Sequence, residues 1–261
     1  MASTAPKIGK ELTFLCSWFC PFAQRTYIAL LEKKLKFNYH EVSLRNPQTG
    51  LWYPLTEKPK WFTDLNPLGK VPTLAYESEA EPQLHTVYES LICNEFLEDL
   101  ATNEEQPALL PPHPAVKARA RIIMDHFNTQ FVPLFYRILV RQDKQQQDEV
   151  GKELIAQCKW LEDNIDSNGP YFMGEQFSLV DCAIVPWFVR GYIMEHFRGI
   201  HLPPNDCSKL SKWMEAAMKR PSVTASFKPP EEGASYKDKL LEHYIRYADG
   251  TANSTSAAAF K

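Results

Sequence analysis

Cys20-Pro21-Phe22-Ala23 places an activatable thiol at the start of a helix. The apolar run of residues 12–15 before it reads as a short strand, and residues 24–34 after it read as a helix. Proline suits the first helical position, where its missing N–H costs nothing. Cys20 is then the cap, facing the amides of Phe22 and Ala23 and the positive end of the helix dipole. Such a setting lowers a thiol pKa and holds a thiolate near neutral pH. A dithiol oxidoreductase carries a second cysteine three residues on, where Ala23 stands here, so the thiol must be resolved from outside the loop. Cys16, at the strand end, reads either as a resolving thiol or as a small hydrophobe of the strand.

The elements that hold this thiol follow from pattern. Residues 37–44 are β-rich, and a helix between two strands implies a βαβ crossover with a parallel pair. Residues 45–60 carry Pro47, Gly50, Pro54 and Pro59 and read as a loop; residues 61–65 read as a short helix stopped by Asn66-Pro67. Residues 71–76 and 84–88 predict a hairpin across a polar segment, and residues 90–97 a helix with one apolar face. The order βαβ…ββα is that of a thioredoxin-like domain with a mixed four-stranded sheet, assigned to residues 1–100. Residues 101–114 are polar and proline-rich and read as a linker. Residues 115–249 read as all-helical: one long stretch over 117–141 bent at Pro133, another over 143–166, an apolar helix opened by a Ser178…Asp181 capping box, and helices over 209–218 and 237–247. The small, polar residues 250–261 are expected to be a disordered tail. The fold class is α+β in two domains.

Composition narrows the function. The chain has 261 residues, is 44% hydrophobic and carries a formal net charge of −3, which suits a globular protein with a real core and argues against nucleic acid as a partner. No apolar run reaches the roughly 18 residues that span a bilayer, and the first residues lack the apolar core of a secretory signal. Six scattered cysteines form neither a disulfide framework nor a metal-ligand ladder, so reduced thiols, a cytoplasmic location and no metal are expected. Asn253-Ser254-Thr255 matches a glycosylation sequon by chance in that setting.

Three motifs carry a family resemblance over nearly the whole chain. They are residues 20–26, then Lys58-Pro59-Lys60-Trp61-Phe62…Asn66-Pro67…Gly69-Lys70-Val71-Pro72 with Tyr88-Glu89-Ser90, and lastly residues 210–218 with Pro221 and Val223. In this order and spacing the chain resembles a cytosolic glutathione transferase of the omega class; plant lambda-type enzymes resemble the same region. The resemblance implies glutathione as co-substrate, with Cys20 as the nucleophile. It implies a cis peptide at Val71–Pro72 that lets the Val71 backbone pair with the cysteinyl amide of the tripeptide. It implies that Ser90 and nearby helix amides hold the γ-glutamyl carboxylate, Glu89 the ammonium, and Lys58 the glycine carboxylate, with Phe22 in the same binding set. Taken singly, Ser90 also reads as an ordinary N-cap and Lys58 as a solvated lysine. Trp213, Trp187, Phe19, Phe127 and Arg190 are candidates for a second-substrate pocket in the cleft between domains, although aromatics at helical spacing are commonly core. Asp181 and Ser178 match the family in a structural role.

A cysteine in this place implies attack on glutathionylated substrates or disulfides through a Cys20–glutathione mixed disulfide, released by a second glutathione. The implied reactions are deglutathionylation, dehydroascorbate reduction and reductive removal of glutathione from α-thio ketones, by a homodimer. Two alternatives use the same fold: a non-catalytic binding module, and a redox-linked, chloride-channel-like protein that associates with membranes. The first is disfavoured because the thiol and the Glu89-Ser90 pair both stand. The second is disfavoured because residues 21–34 contain Gln24, Arg25, Glu32, Lys33 and Lys34, which makes stable membrane insertion unfavourable.

Overall fold

The computed structural model describes residues 4–78, 83–100 and 106–260. It divides into two compact units, Met1–Ala108 and Leu109–Lys261. Residues 101–105 of the expected linker and residues 79–82 of the expected hairpin turn lie outside the described residues. Beyond the former, Leu109 and Leu110 are buried in the second unit and not solvated.

The first unit is a four-stranded mixed sheet in the order β2-β1-β3-β4, formed by β1 (Leu12–Cys16), β2 (Phe37–Glu41), β3 (Thr73–Glu77) and β4 (Leu84–Tyr88). β1 runs parallel to β2, with Leu12 opposite Phe37, and antiparallel to β3, which forms the expected hairpin with β4. All of β1 is buried, as an apolar run covered on both faces requires. The crossover helix α1 (Pro21–Glu32) joins β1 to β2, and α3 (Ser90–Leu100) packs against α1. At the end of α1 the Lys33 ammonium, 1% exposed, is held by Glu98 at 2.7 Å and by the Pro107 carbonyl at 3.0 Å. β2 stops at Glu41, short of the expected residue 44. Beyond Glu41 the chain follows the turn after β1: the Val42 amide donates to the Cys16 carbonyl and the Ser17 hydroxyl to the Val42 carbonyl. The expected loop of residues 45–60 holds a single 3-10 turn (Leu55–Glu57) and an isolated bridge between Arg45 and Trp52; α2 (Lys60–Leu65) follows.

The second unit is helical. The expected long helix runs on from α4 (Pro114–His126) into α5 (Val132–Val140) through a π-type turn at Phe127–Phe131. Pro133 follows directly on that turn, where the wider hydrogen-bonding pattern accommodates a residue with no N–H to donate. α6 (Lys144–Asn164) is capped by Asp143, which accepts from the Gln146 amide. α7 (Leu179–Val189) is buried along its whole length and opens with the expected Ser178/Asp181 capping box. α8 (Gly191–Arg198), α9 (Ser208–Met218), α10 (Pro221–Ala225) and α11 (Tyr236–Ala248) complete the core.

The tail departs from expectation. Residues 255–260 form α12 (Thr255–Phe260), which packs on α5, and Ala252, Ser254 and Ala257 are buried. The Ser254 hydroxyl oxygen accepts from the Tyr247 hydroxyl at 2.7 Å and from the Ala257 amide at 3.0 Å, capping the helix. Small side chains that read as low complexity are here what lets a short helix lie close against a neighbour.

Candidate active site

Cys20 is the N-cap of α1 with extended φ and ψ, and Pro21 occupies the first turn. Its amide donates to the Ser17 carbonyl at 2.8 Å and its carbonyl accepts the first helical bond from Gln24 at 3.0 Å. The side chain is half-buried and makes no capping hydrogen bond to α1. Its Sγ lies 3.9 Å from the Val71 carbonyl oxygen instead. The Val71–Pro72 peptide is cis.

A small polar scaffold fixes the loop that carries Val71, and Asn66 is its centre. The buried Asn66 amide donates to the Lys70 carbonyl at 2.8 Å and to Thr73 Oγ1 at 3.0 Å, while its oxygen accepts from the Leu68 amide at 3.0 Å. The sequence marks Asn66-Pro67 only as a helix stop; a buried side-chain amide that satisfies its own loop leaves no pattern in the chain. Lys58 reaches across the same loop, Nζ donating to the Gly69 carbonyl at 2.6 Å. Burial, and then the neighbouring Lys70, hold its pKa below the usual lysine value. Gly69 has φ +57°, and a Cβ there would lie 2.8 Å from Lys58 Cδ, so only glycine admits this approach.

The third component is the junction of β4 with α3. Glu89 has φ +69°, a left-handed backbone that is uncommon for a residue with a side chain and is often retained at ligand-binding turns. Ser90, the first residue of α3, is 5% exposed. Two successive residues of α1 meet it: Arg25 Nη1 donates to Ser90 Oγ at 3.2 Å, and Thr26 Oγ1 donates to the Ser90 carbonyl at 3.5 Å. Arg25 is 0% exposed, with its guanidinium carbon 5.4 Å from the centre of the Phe22 ring. Nothing in the sequence marks Arg25 as buried, because a lone arginine in a helix is ordinarily solvated.

Beside the thiol, Phe19 is gripped on several sides. Trp18 and Trp52 meet its ring edge-on, at 5.6 Å and 5.4 Å between centres, and the Arg45 guanidinium lies 4.8 Å from its centre. Cys16 points into the interior next to Tyr39 and Tyr27. Burial, followed by Cys16 and Glu41, pushes the Tyr39 hydroxyl far up. Tyr39 donates to Glu41 at 2.6 Å, and Glu41 accepts from the Trp18 amide at 3.1 Å, so the turn before Cys20 is tied to β2.

The other four second-substrate candidates have partners within the helical unit. Trp213 is 1% exposed, and its indole N–H donates to Asp181 at 2.7 Å, with Phe172 and Phe188 edge-on to its ring. Asp181 also accepts from the Phe172 amide, the Ser178 amide and the Ser178 hydroxyl. Trp187 is fully buried against the edge of Phe127. Arg190 is fully buried, donating to the Pro186 carbonyl at 2.6 Å and to the Tyr236 hydroxyl at 3.2 Å. These side chains form the core of their unit, as periodic aromatics commonly do.

Residues 19–100 match the family model for the N-terminal domain of glutathione S-transferases, and residues 119–221 match that for the C-terminal domain. A curated relative, glutathione S-transferase omega-1 from Sus scrofa, is 31% identical over 226 residues, covering 86% of this chain and 84% of the relative. The crystal structure of glutathione transferase Omega 3C from Trametes versicolor is 33% identical with a TM-score of 0.71, covering 93% of this chain and 92% of that one. Rice GST1, solved in complex with glutathione, is 26% identical with a TM-score of 0.72, covering 91% of this chain and 98% of that one.

Proposed function

The chain belongs to the glutathione S-transferase family, is similar to its omega class, and is a glutathione transferase; from that premise we propose that it works as a cysteine-type thiol transferase rather than mainly as a conjugating enzyme. The observation that carries the reading is the nucleophile: a half-buried cysteine at the start of α1, where conjugating sites use a hydroxyl, and no cysteine at position 23. In the first step the Cys20 thiolate attacks the glutathionyl sulfur of a mixed disulfide. The substrate leaves as its thiolate, and Cys20 is left bonded to glutathione. In the second step the thiolate of another glutathione attacks the sulfur of the bound glutathionyl group. Oxidised glutathione forms and the Cys20 thiolate is regenerated, so electrons and protons balance over the cycle.

Under this reading Val71 offers its backbone to the cysteinyl amide of glutathione next to Pro72, Ser90 and the first turn of α3 take the γ-glutamyl carboxylate, and Glu89 takes the ammonium. Lys58 takes the glycine carboxylate, and Phe22 completes the binding set. The Val71 carbonyl beside Sγ supports the cysteinyl pairing, since it puts the tripeptide's sulfur next to Cys20. Phe19 and its ring of Trp18, Trp52 and Arg45 border the oxidised substrate. Deglutathionylation, dehydroascorbate reduction and reductive cleavage of α-thio ketones belong to this chemistry, in a cytoplasmic homodimer. Leu84, Ile92 and Leu100, all at least 40% exposed, offer apolar surface for a second copy, which sedimentation would test. Intact mass after exposure to oxidised glutathione tests the chemistry: one glutathionyl group on Cys20, removed by reduced glutathione, is expected. An unmodified protein would favour the binding-module reading.

A further inference from the structure

The turn that delivers Cys20 is closed by one hydrogen bond, from the Cys20 amide to the Ser17 carbonyl at 2.8 Å, with Trp18 and Phe19 as its central residues. Phe19 is 5% exposed and Trp18 only partly buried, so of these two rings it is the indole that a molecule at the thiol can reach. The second reachable ring is Trp52, also partly buried, which arrives from the loop of residues 44–53 and meets Phe19 edge-on at 5.4 Å. That loop is tied to itself along its length. The Tyr53 amide donates to the Leu44 carbonyl at 3.0 Å and the Asn46 amide to the Leu51 carbonyl at 2.8 Å, bracketing the Arg45–Trp52 bridge. At the tip the Asn46 side-chain oxygen accepts from the Gln48 amide at 2.9 Å and from the Thr49 amide at 3.1 Å, and Gly50 turns the chain with φ +67°. Arg45, opposite Trp52, sets its guanidinium 4.8 Å from the centre of the Phe19 ring, so the bridged pair holds Phe19 at two places. Two indoles are thus fixed to one buried ring, whose neighbour in the chain is the reactive thiol. An aromatic surface that is ordered before binding lowers the entropic cost to a ligand that packs on it.

We propose that Trp52 is a specificity-determining residue for the thiol that leaves glutathione, selecting one with an aromatic ring close to its sulfur. The inference rests on the thiol-transferase reading of this site and names a class of substrate for it: mixed disulfides of glutathione with arylmethyl thiols. With the glutathionyl half beside Val71, the other half extends past Cys20, and its ring packs on the Trp52 indole. Aromatic pairs favour such contact beyond the area they bury. The Cys20 thiolate attacks the glutathionyl sulfur, the S–S bond of the substrate breaks, and the arylmethyl thiolate leaves and takes a proton from water. A second glutathione gives its thiol proton to water and attacks the sulfur of the glutathionyl group on Cys20. Oxidised glutathione forms and the Cys20 thiolate returns.

The test compares kcat/KM for two mixed disulfides of glutathione, one with benzyl mercaptan and one with 2-mercaptoethanol, in wild type, Trp52→Leu and Trp52→Phe. The intrinsic reactivity of each leaving thiol is the same for every variant, so changes in the ratio between the two substrates read the protein's own contribution. In Trp52→Leu, which keeps apolar bulk, the benzyl-to-hydroxyethyl ratio is expected to fall about 3- to 10-fold, the scale of one aromatic pair. Trp52→Phe keeps a ring and should lose less. An unchanged ratio in Trp52→Leu overturns the inference, whether both rates hold or both fall together; in the second case Trp52 only supports the turn before Cys20. Inhibition of wild type gives a reading that does not depend on a folded variant. S-benzylglutathione, which has no disulfide to exchange, should inhibit about 3-fold or more better than S-(2-hydroxyethyl)glutathione, and equal inhibition overturns the inference. Exchange with neither mixed disulfide in wild type would instead overturn the thiol-transferase reading itself, and this inference with it.

Discussion

The sulfur of Cys20 lies 3.9 Å from the carbonyl oxygen of Val71, across a gap of 51 residues in sequence. A neutral thiol can donate weakly to that oxygen, whereas a thiolate is repelled by it and drawn to the amides of α1. The contact sets the reactive sulfur beside the backbone edge along which an extended peptide thiol would lie. The loop that makes it is not free to drift, because Asn66 ties both sides of it and Lys58 crosses it.

Alkylation separates this cysteine from the others. Burial pushes Cys93 up to about 12 and Cys207 up to about 11, and Cys158 higher still. Iodoacetamide at neutral pH should therefore label Cys20 and spare these three, since the thiolate is the nucleophile. Peptide mass mapping checks it; labelling of Cys93 ahead of Cys20 would contradict the assignment.

Lys58 predicts an alkaline limb in glutathione affinity. A lysine is cationic below its pKa, and burial with Lys70 holds Lys58 below the usual 10.5. Its charge is thus lost as pH rises, earlier than for a solvated lysine. A bound carboxylate raises the pKa again, so binding takes up a proton in that range. The advantage of wild type over Lys58→Met, measured with S-methylglutathione from about pH 7 to about pH 10, should shrink as pH rises. A constant ratio would show that Lys58 does not meet the ligand.

Trp213 should act on stability more than on turnover. Its indole is one of four donors converging on buried Asp181. Trp213→Phe keeps an aromatic ring and removes that donor, at a cost of about 1–3 kcal/mol. Urea unfolding measures the loss. A fall in the KM-dependence on the oxidised substrate without loss of stability would return Trp213 to the second-substrate site.

The capping serine of the tail gives a fourth expectation. Ser254→Ala removes an acceptor for both Tyr247 and Ala257. The loss should be about 0.5–2 kcal/mol, as for other N-caps. An unchanged midpoint would mean that α12 contributes little to the fold.

Much of the fold was legible because its signals are local. Pro21 after Cys20 announces a helix start, the largely apolar β1 announces a strand, and the Ser178…Asp181 spacing announces a cap. The departures share a cause, since each turns on contacts distant in sequence. Whether residues 250–260 are ordered depends on a surface of α5 that their own composition does not describe. Trp213 is buried because Asp181 lies 32 residues away to receive its N–H. Arg25 and Asn66 look like surface and turn residues until the loop and helix they hold are folded around them. The π-type turn at Phe127–Phe131, just before Pro133, widens one continuous helix, a feature that periodicity alone does not reveal.

The most direct test is turnover of hydroxyethyl disulfide and dehydroascorbate with glutathione, by wild type, Cys20→Ala and Cys16→Ser, with intact mass recorded in parallel. Activity and a glutathione adduct in wild type and Cys16→Ser, and neither in Cys20→Ala, is the predicted result. Loss of turnover in Cys16→Ser with the adduct retained would mean that Cys16 resolves the intermediate. Full activity in Cys20→Ala would contradict the account at its centre.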